Sequence, residues 1–226
     1  MDLHTERTGA GPRLVLVHGF TQTAACWGAE ADALAADHEV VRVDAPGHGR
    51  SVQVAADLEA GGRSLLAVGG VATYLGYSMG ARLCLHAALA DPSLVRGLVL
   101  LGATAGIDDP TERAERRASD EVLARRLETD GVAAFLDTWL AQPLFAGIPA
   151  ERSFRAERLA ITAAGLASSL RLAGTGAQPP RWDELGRLTM PVLVVAGAQD
   201  AKFAALAQRL VEGIGPSATL ALIPDA

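Results

Sequence analysis

The chain has 226 residues, half of them hydrophobic, and a formal net charge of -6. That length fits one domain with an insertion, and that apolar share fits a sizeable core. The acidic balance excludes a nucleic-acid surface, which needs clustered Lys and Arg. The two cysteines, Cys26 and Cys84, form no CxxC pair and no disulfide framework. The opening "MDLHTERTG" is polar and charged, unlike a signal peptide, so a cytoplasmic location is expected.

Short apolar runs alternate with longer amphipathic ones along the chain. "RLVLVHGF" (13–20) reads as a strand ending at His-Gly, and "HEVVRVDAPGHG" (38–49) as a strand ending in a Pro/Gly loop. Residues 64–81 carry no charge, but four glycines (Gly69, Gly70, Gly76, Gly80) interrupt them. A helix, a turn, a strand and a second turn fit that stretch better than a membrane span. "VATYLGYSMG" is a strand running into a serine, and "GARLCLHAALADP" is the helix after it. "VRGLVLLGATAG", "TMPVLVVAGAQD" and "ATLALIPDA" repeat the strand pattern. Runs apolar on both faces predict a mostly parallel α/β sheet with helices on both faces.

Residues 107–187 hold no convincing strand. Asp109 as N-cap, Pro110 in the first turn and Glu112 three residues after the cap open a helix. "DGVAAFLDTWLAQ" and "AERSFRAERLAITAAGLASSLRLA" predict two more helices, and "GTGAQPPRWDEL" a loop. The expected organisation is a core in two parts, 1–106 and 188–226, with a helical lid between them over the carboxyl edge of the sheet.

"GYSMG" fits G-x-S-x-G, a tight strand-to-helix turn that exposes a strained serine, Ser78, at the sheet edge. The backbone N–H groups of Phe20, in "VHGF", and Met79 are placed to form an oxyanion hole. His18 sits in the same loop as Phe20 rather than across from the serine, which points to a structural role. Asp200, in "AGAQDAKF", follows the end of a late strand, where a carboxylate can orient a histidine ring. Ser precedes Asp in the chain, the order this fold requires.

In order and spacing, "LVLVHGF", "VDAPGHGRS", "GYSMGAR" and "PVLVVAGAQDAKF" resemble the α/β-hydrolase fold. Arg82 four residues after the serine, "ERAERRASD", "WLAQPLF", "RWDELGRLTMPVL" and "DAKF" resemble one family within it, the menaquinone-pathway 2-succinyl-6-hydroxy-2,4-cyclohexadiene-1-carboxylate synthases. The resemblance spans nearly the whole chain. It implies a lyase that eliminates pyruvate from a cyclohexene carboxylate, with Ser78 as triad-activated base and Asp200 as the acid. It implies Arg82 and Arg158 on the carboxylates of a small anionic substrate, with Tyr77, Trp139 and Phe145 lining the pocket. It implies no cofactor, no metal and no membrane span. Ala118 stands where the family places another substrate-binding arginine; Arg116 and Arg117 lie beside it.

The triad's histidine should follow the acid, yet none of His4, His18, His38, His48 and His86 comes after Asp200. His86 lies about 12 Å along its helix from Ser78, beyond hydrogen-bond reach. In the resembled family the strand matching "ATLALIPDA" leads into Gly, the catalytic His and a last helix. The expectation is therefore a truncated chain, weak in catalysis, with an apolar sheet face left uncovered. A serine esterase or C–C bond hydrolase and a non-catalytic binding protein are the alternatives.

Overall fold

The computed structural model describes residues 2–142, 145, 147–149 and 152–226. Seven strands form one sheet in the order β1-β3-β2-β4-β5-β6-β7. They are β1 Thr5–Thr8, β2 Arg13–Val17, β3 Glu39–Val43, β4 Ala72–Tyr77, β5 Val95–Leu101, β6 Val192–Gly197 and β7 Ala218–Ile223. Only β1 runs antiparallel, against β3; every other pair is parallel. The helices are α1 Gly28–Leu34, α2 Leu58–Gly69, α3 Met79–Ala90, α4 Pro110–Leu140, α5 Arg155–Leu159, α6 Ala163–Ala173 and α7 Ala201–Ile214.

The order of strands fixes where a ligand can sit. From β2 the chain goes to β3 on one side and then returns to β4 on the other. Strands leaving in opposite directions open a crevice at their carboxyl ends. Val17 pairs with Gly76, so the loops that follow β2 and β4 emerge side by side.

The two sheet faces are covered unequally. One face, with Val15, Val17, Val41, Tyr74, Leu98, Leu100 and Val194, carries the main core under α2, α3 and α7. The other gathers Leu14, Leu16 and Val40 beneath α1. No described helix covers this second face at β6 and β7: Leu193 is 37% and Ile223 46% exposed. The expectation of helices on both faces therefore holds chiefly at the β2–β3 end.

β1 lies in a segment read only as polar. Its support is ionic: Arg42 pairs with Glu6 at 3.0 Å and Arg7 with Glu39 at 3.2 Å. A short edge strand of this kind carries no apolar alternation to read.

Between β5 and β6 lie α4, α5 and α6. Asp109 caps α4 as expected, accepting from the Glu112 N–H at 2.8 Å. Gly131, at φ 81°, breaks α4 where a second helix was predicted to start. The third predicted helix is also two, because the Thr162 hydroxyl accepts from the Gly165 N–H and caps α6 afresh. This insertion has its own small core, including Leu127, Phe135 and Leu166, against which Phe20 also packs.

Burial keeps three histidines neutral, and this gives a pH dependence. Desolvation lowers His18 to about 4, His48 to about 3 and His86 to about 4. Below pH 6.5 the unfolded chain binds protons that these rings refuse, so stability falls as pH falls from 6.5 toward 4. Each ring contributes about 1.4 kcal/mol per pH unit in that window. Urea unfolding is expected to show a loss of several kcal/mol between pH 7 and 5. A constant midpoint across that range would contradict it.

Candidate active site

β4 ends in Ser78, whose φ of 54° and ψ of -111° lie outside the regions non-glycine residues prefer. Two glycines make this turn possible. A Cβ on Gly76 would stand 2.3 Å from the Gly80 carbonyl oxygen, and one on Gly80 2.2 Å from that of Val17. The Ser78 N–H donates to Leu101 O at 2.7 Å, which ties the turn to β5. The Arg82 N–H donates to Ser78 O at 3.1 Å and closes the first turn of α3. The serine is thus held half-buried at the end of the strand, with the amino end of α3 behind it.

Met79 opens α3, so its N–H has no partner one turn back. Among the described residues neither that N–H nor the Phe20 N–H has an acceptor. Both residues border the Ser78 cavity. Two free donors beside a strained hydroxyl can stabilise a developing oxyanion.

His18 is structural, as expected. Its Nε2 accepts from the Ala45 N–H at 3.0 Å, which leaves Nδ1–H to donate to Gly19 O at 2.8 Å. With both nitrogens engaged, the ring has no lone pair for Ser78. His48 donates Nδ1–H to Pro46 O at 2.9 Å and packs on His18 and Phe20. No histidine lines the cavity among the described residues.

The cavity measures about 680 Å³. Ser78, Phe20, Met79, Arg82 and Trp139 border it from the predicted set. Phe20 stands edge-on to Trp139 at 5.4 Å, and Trp139 stacks on Phe135 at 5.6 Å, which docks the helical insertion over the serine loop. Phe145 lies 6.0 Å from Trp139, one ring further out. Among the described residues the buried Trp139 Nε1–H has no acceptor.

Arg82 is 8% exposed. Through Nη1 it donates to Ala173 O at 2.7 Å and to Gln178 Oε1 at 3.4 Å, both neutral oxygens. Burial, and then the Arg116 guanidinium, lower it to about 10, while Asp120 opposes them; it stays charged at neutral pH. Arg116 borders the same cavity, its Nε bonded to the buried Asp120 carboxylate at 2.8 Å. Arg158 is 4% exposed and forms a separate cluster with Thr21 and Tyr77 rather than bordering this cavity. It donates to the Thr21 hydroxyl and, at 2.8 Å, to Ser153 O.

Asp200 caps α7, accepting from the Phe203 N–H at 3.0 Å. The carboxyl end of β7 comes to the same place, since Gln199 N–H donates to Ala226 O at 2.8 Å. The acid loop and the end of the last strand are therefore neighbours. Sequence reasoning missed Gln178, which also donates to Thr104 O at 3.2 Å and holds the Arg82 side. It lies in an irregular loop, where no periodicity marks it.

The family model "Alpha/beta hydrolase family" matches residues 14–226. The chain belongs to the alpha/beta hydrolase family. Within that family it is 32% identical, over 207 residues, to the 2-succinyl-6-hydroxy-2,4-cyclohexadiene-1-carboxylate synthase of Escherichia coli O1:K1 / APEC, covering 88% of this chain and 82% of that protein. MenH from S. aureus superposes on this alpha/beta hydrolase with a TM-score of 0.90 and 28% identity, over 98% of this chain and 89% of that one. A thermophilic esterase from Thermogutta terrifontis, solved with malate bound, gives 0.82 and 26%, over 99% and 85%. Among the described residues no helix is long and apolar enough to cross a membrane.

Proposed function

We propose that the chain is a carbon–oxygen lyase of menaquinone biosynthesis, eliminating pyruvate from a cyclohexene carboxylate intermediate. The observation that carries this reading is the state of buried Arg82 at the Ser78 cavity. Among the described residues its hydrogen bonds go only to the neutral Ala173 and Gln178 oxygens. The nearby Asp120 carboxylate is bonded to Arg116 instead, and a bound carboxylate would give buried Arg82 a hydrogen-bonded anionic partner. Arg82 reaches it one turn from Ser78, and the guanidinium fork suits a carboxylate. The sequence match to the E. coli synthase supports the same substrate class. The α4–α6 insertion serves as the lid, bringing Trp139 and Arg116 to the substrate.

In this mechanism Ser78 Oγ takes the substrate proton, a histidine oriented by Asp200 receives it, and the freed electron pair expels the pyruvate unit. The Phe20 and Met79 N–H groups hold the oxygen on which charge develops. Among the 226 residues no imidazole is placed to serve Ser78. Turnover is accordingly expected to depend on an imidazole supplied from outside the described residues.

The same elbow serves ester and C–C bond hydrolysis, and the esterase neighbour keeps that chemistry as the second reading. A form carrying a histidine after β7, given the menaquinone-pathway intermediate and p-nitrophenyl esters in parallel, separates them. Pyruvate release with no ester cleavage is expected; ester cleavage without pyruvate overturns the lyase. Neither activity would favour a binding protein.

A further inference from the structure

The turn after α6 serves two arginines in different ways. Gly174 O accepts from the Ala177 N–H at 3.1 Å and the Gln178 N–H at 3.2 Å, which folds residues 174–178 back on themselves. Within this turn the Gly176 N–H donates to Asp120 Oδ2 at 3.4 Å, and the other oxygen of that acid holds Arg116. At the end of the turn the Gln178 side chain reaches Arg82.

Gln178 is 1% exposed and does not border the Ser78 cavity; it stands behind Arg82, which does. Its amide can point only one way. A carbonyl only accepts and a guanidinium only donates, so Nε2 faces Thr104 O and Oε1 faces Arg82. The second oxygen on Arg82 Nη1 belongs to Ala173, the last residue of α6, and the carboxyl end of a helix favours a cation. Asp120 also acts on the charge of Arg82, but its hydrogen bonds go to Arg116 and Gly176. Two uncharged groups therefore orient the guanidinium, and neither pairs its charge. A glutamate would fill the same space at 178. It would form an ion pair with Arg82, turn a second acceptor toward Thr104 O, and leave the fork less to offer a ligand.

We propose that Gln178 is a positioning residue for the anionic ligand of the Ser78 cavity, an uncharged amide that fixes Arg82 from behind and leaves its charge for a carboxylate. The role rests on the reading of that cavity as a carboxylate site.

Succinate titrated calorimetrically into the chain and its variants tests this. Saturable binding is expected in the parent chain, and its loss in Arg82→Met. Gln178→Met keeps the volume but drops both side-chain hydrogen bonds, and is expected to weaken binding by about threefold to tenfold. Gln178→Glu is expected to weaken it further, by about tenfold or more, because an internal carboxylate competes with succinate for the guanidinium. A merely structural glutamine predicts the opposite order, since glutamate keeps its shape and its acceptor. If Gln178→Glu misfolds, Gln178→Met must still show its loss. Absence of succinate binding in the parent chain overturns the carboxylate reading of the cavity, and the proposal with it. Succinate binding that Gln178→Met leaves unchanged, or that Gln178→Glu weakens less than Gln178→Met does, overturns the role of Gln178 alone.

Discussion

Appending Gly-His and an amphipathic helix after Ala226 is expected to raise pyruvate release by about 10²–10⁴-fold, the usual range for a general base. The geometry behind this is local. Ser78 borders the cavity, and the Phe20 and Met79 N–H groups beside it have no acceptor among the described residues. Among the described residues no imidazole borders the cavity. His18 has both nitrogens engaged, and His86 lies further along α3, outside the cavity. The chain after β7 meets the residue before Asp200, so a histidine added there starts beside that carboxylate, its proposed orienting acid. The extended chain with Ser78→Ala should return to the low rate. Equal rates for the extended and 226-residue forms would show that the serine works without an imidazole, or does not work as the base.

Arg82→Met is expected to lower kcat/KM for the carboxylated substrate by about 10–100-fold, the worth of a hydrogen bond to a charged group. Most of the loss should appear in KM if the arginine holds a carboxylate that takes no part in bond breaking. Arg82→Lys keeps the charge but not the fork, so partial recovery is expected. The control is a neutral ester, for which the change should be small. A parallel fall on both substrates would mean that the variant has disturbed the site through Ala173 and Gln178 rather than through substrate charge.

The Ser78 elbow was legible in the sequence because its strain leaves little freedom. Only glycine fits at positions 76 and 80, so a strand followed by GYSMG has few other meanings. Arg82 was legible by its spacing, one helical turn from the serine. Other parts had no such signature. The polar edge strand β1 depends on ion pairs with residues more than 30 positions away. The break between α5 and α6 rests on one threonine hydroxyl in an otherwise helical stretch. The Arg116–Asp120 pair reads as an ordinary i,i+4 surface bridge, yet Asp120 is 2% exposed and borders the cavity. Arg158 was placed by resemblance on the substrate; the structure sets it beside Thr21 and Tyr77, outside the Ser78 cavity. Those facts come from tertiary packing, and a single sequence carries no trace of them.

The central claim is that Ser78 sits in a carboxylate-binding site with its imidazole missing from these 226 residues. Pyruvate release by this chain, measured with and without added imidazole, tests it most directly. The expected result is a slow rate that rises with imidazole concentration and vanishes in Ser78→Ala. A fast rate that ignores both imidazole and Ser78→Ala would contradict the claim.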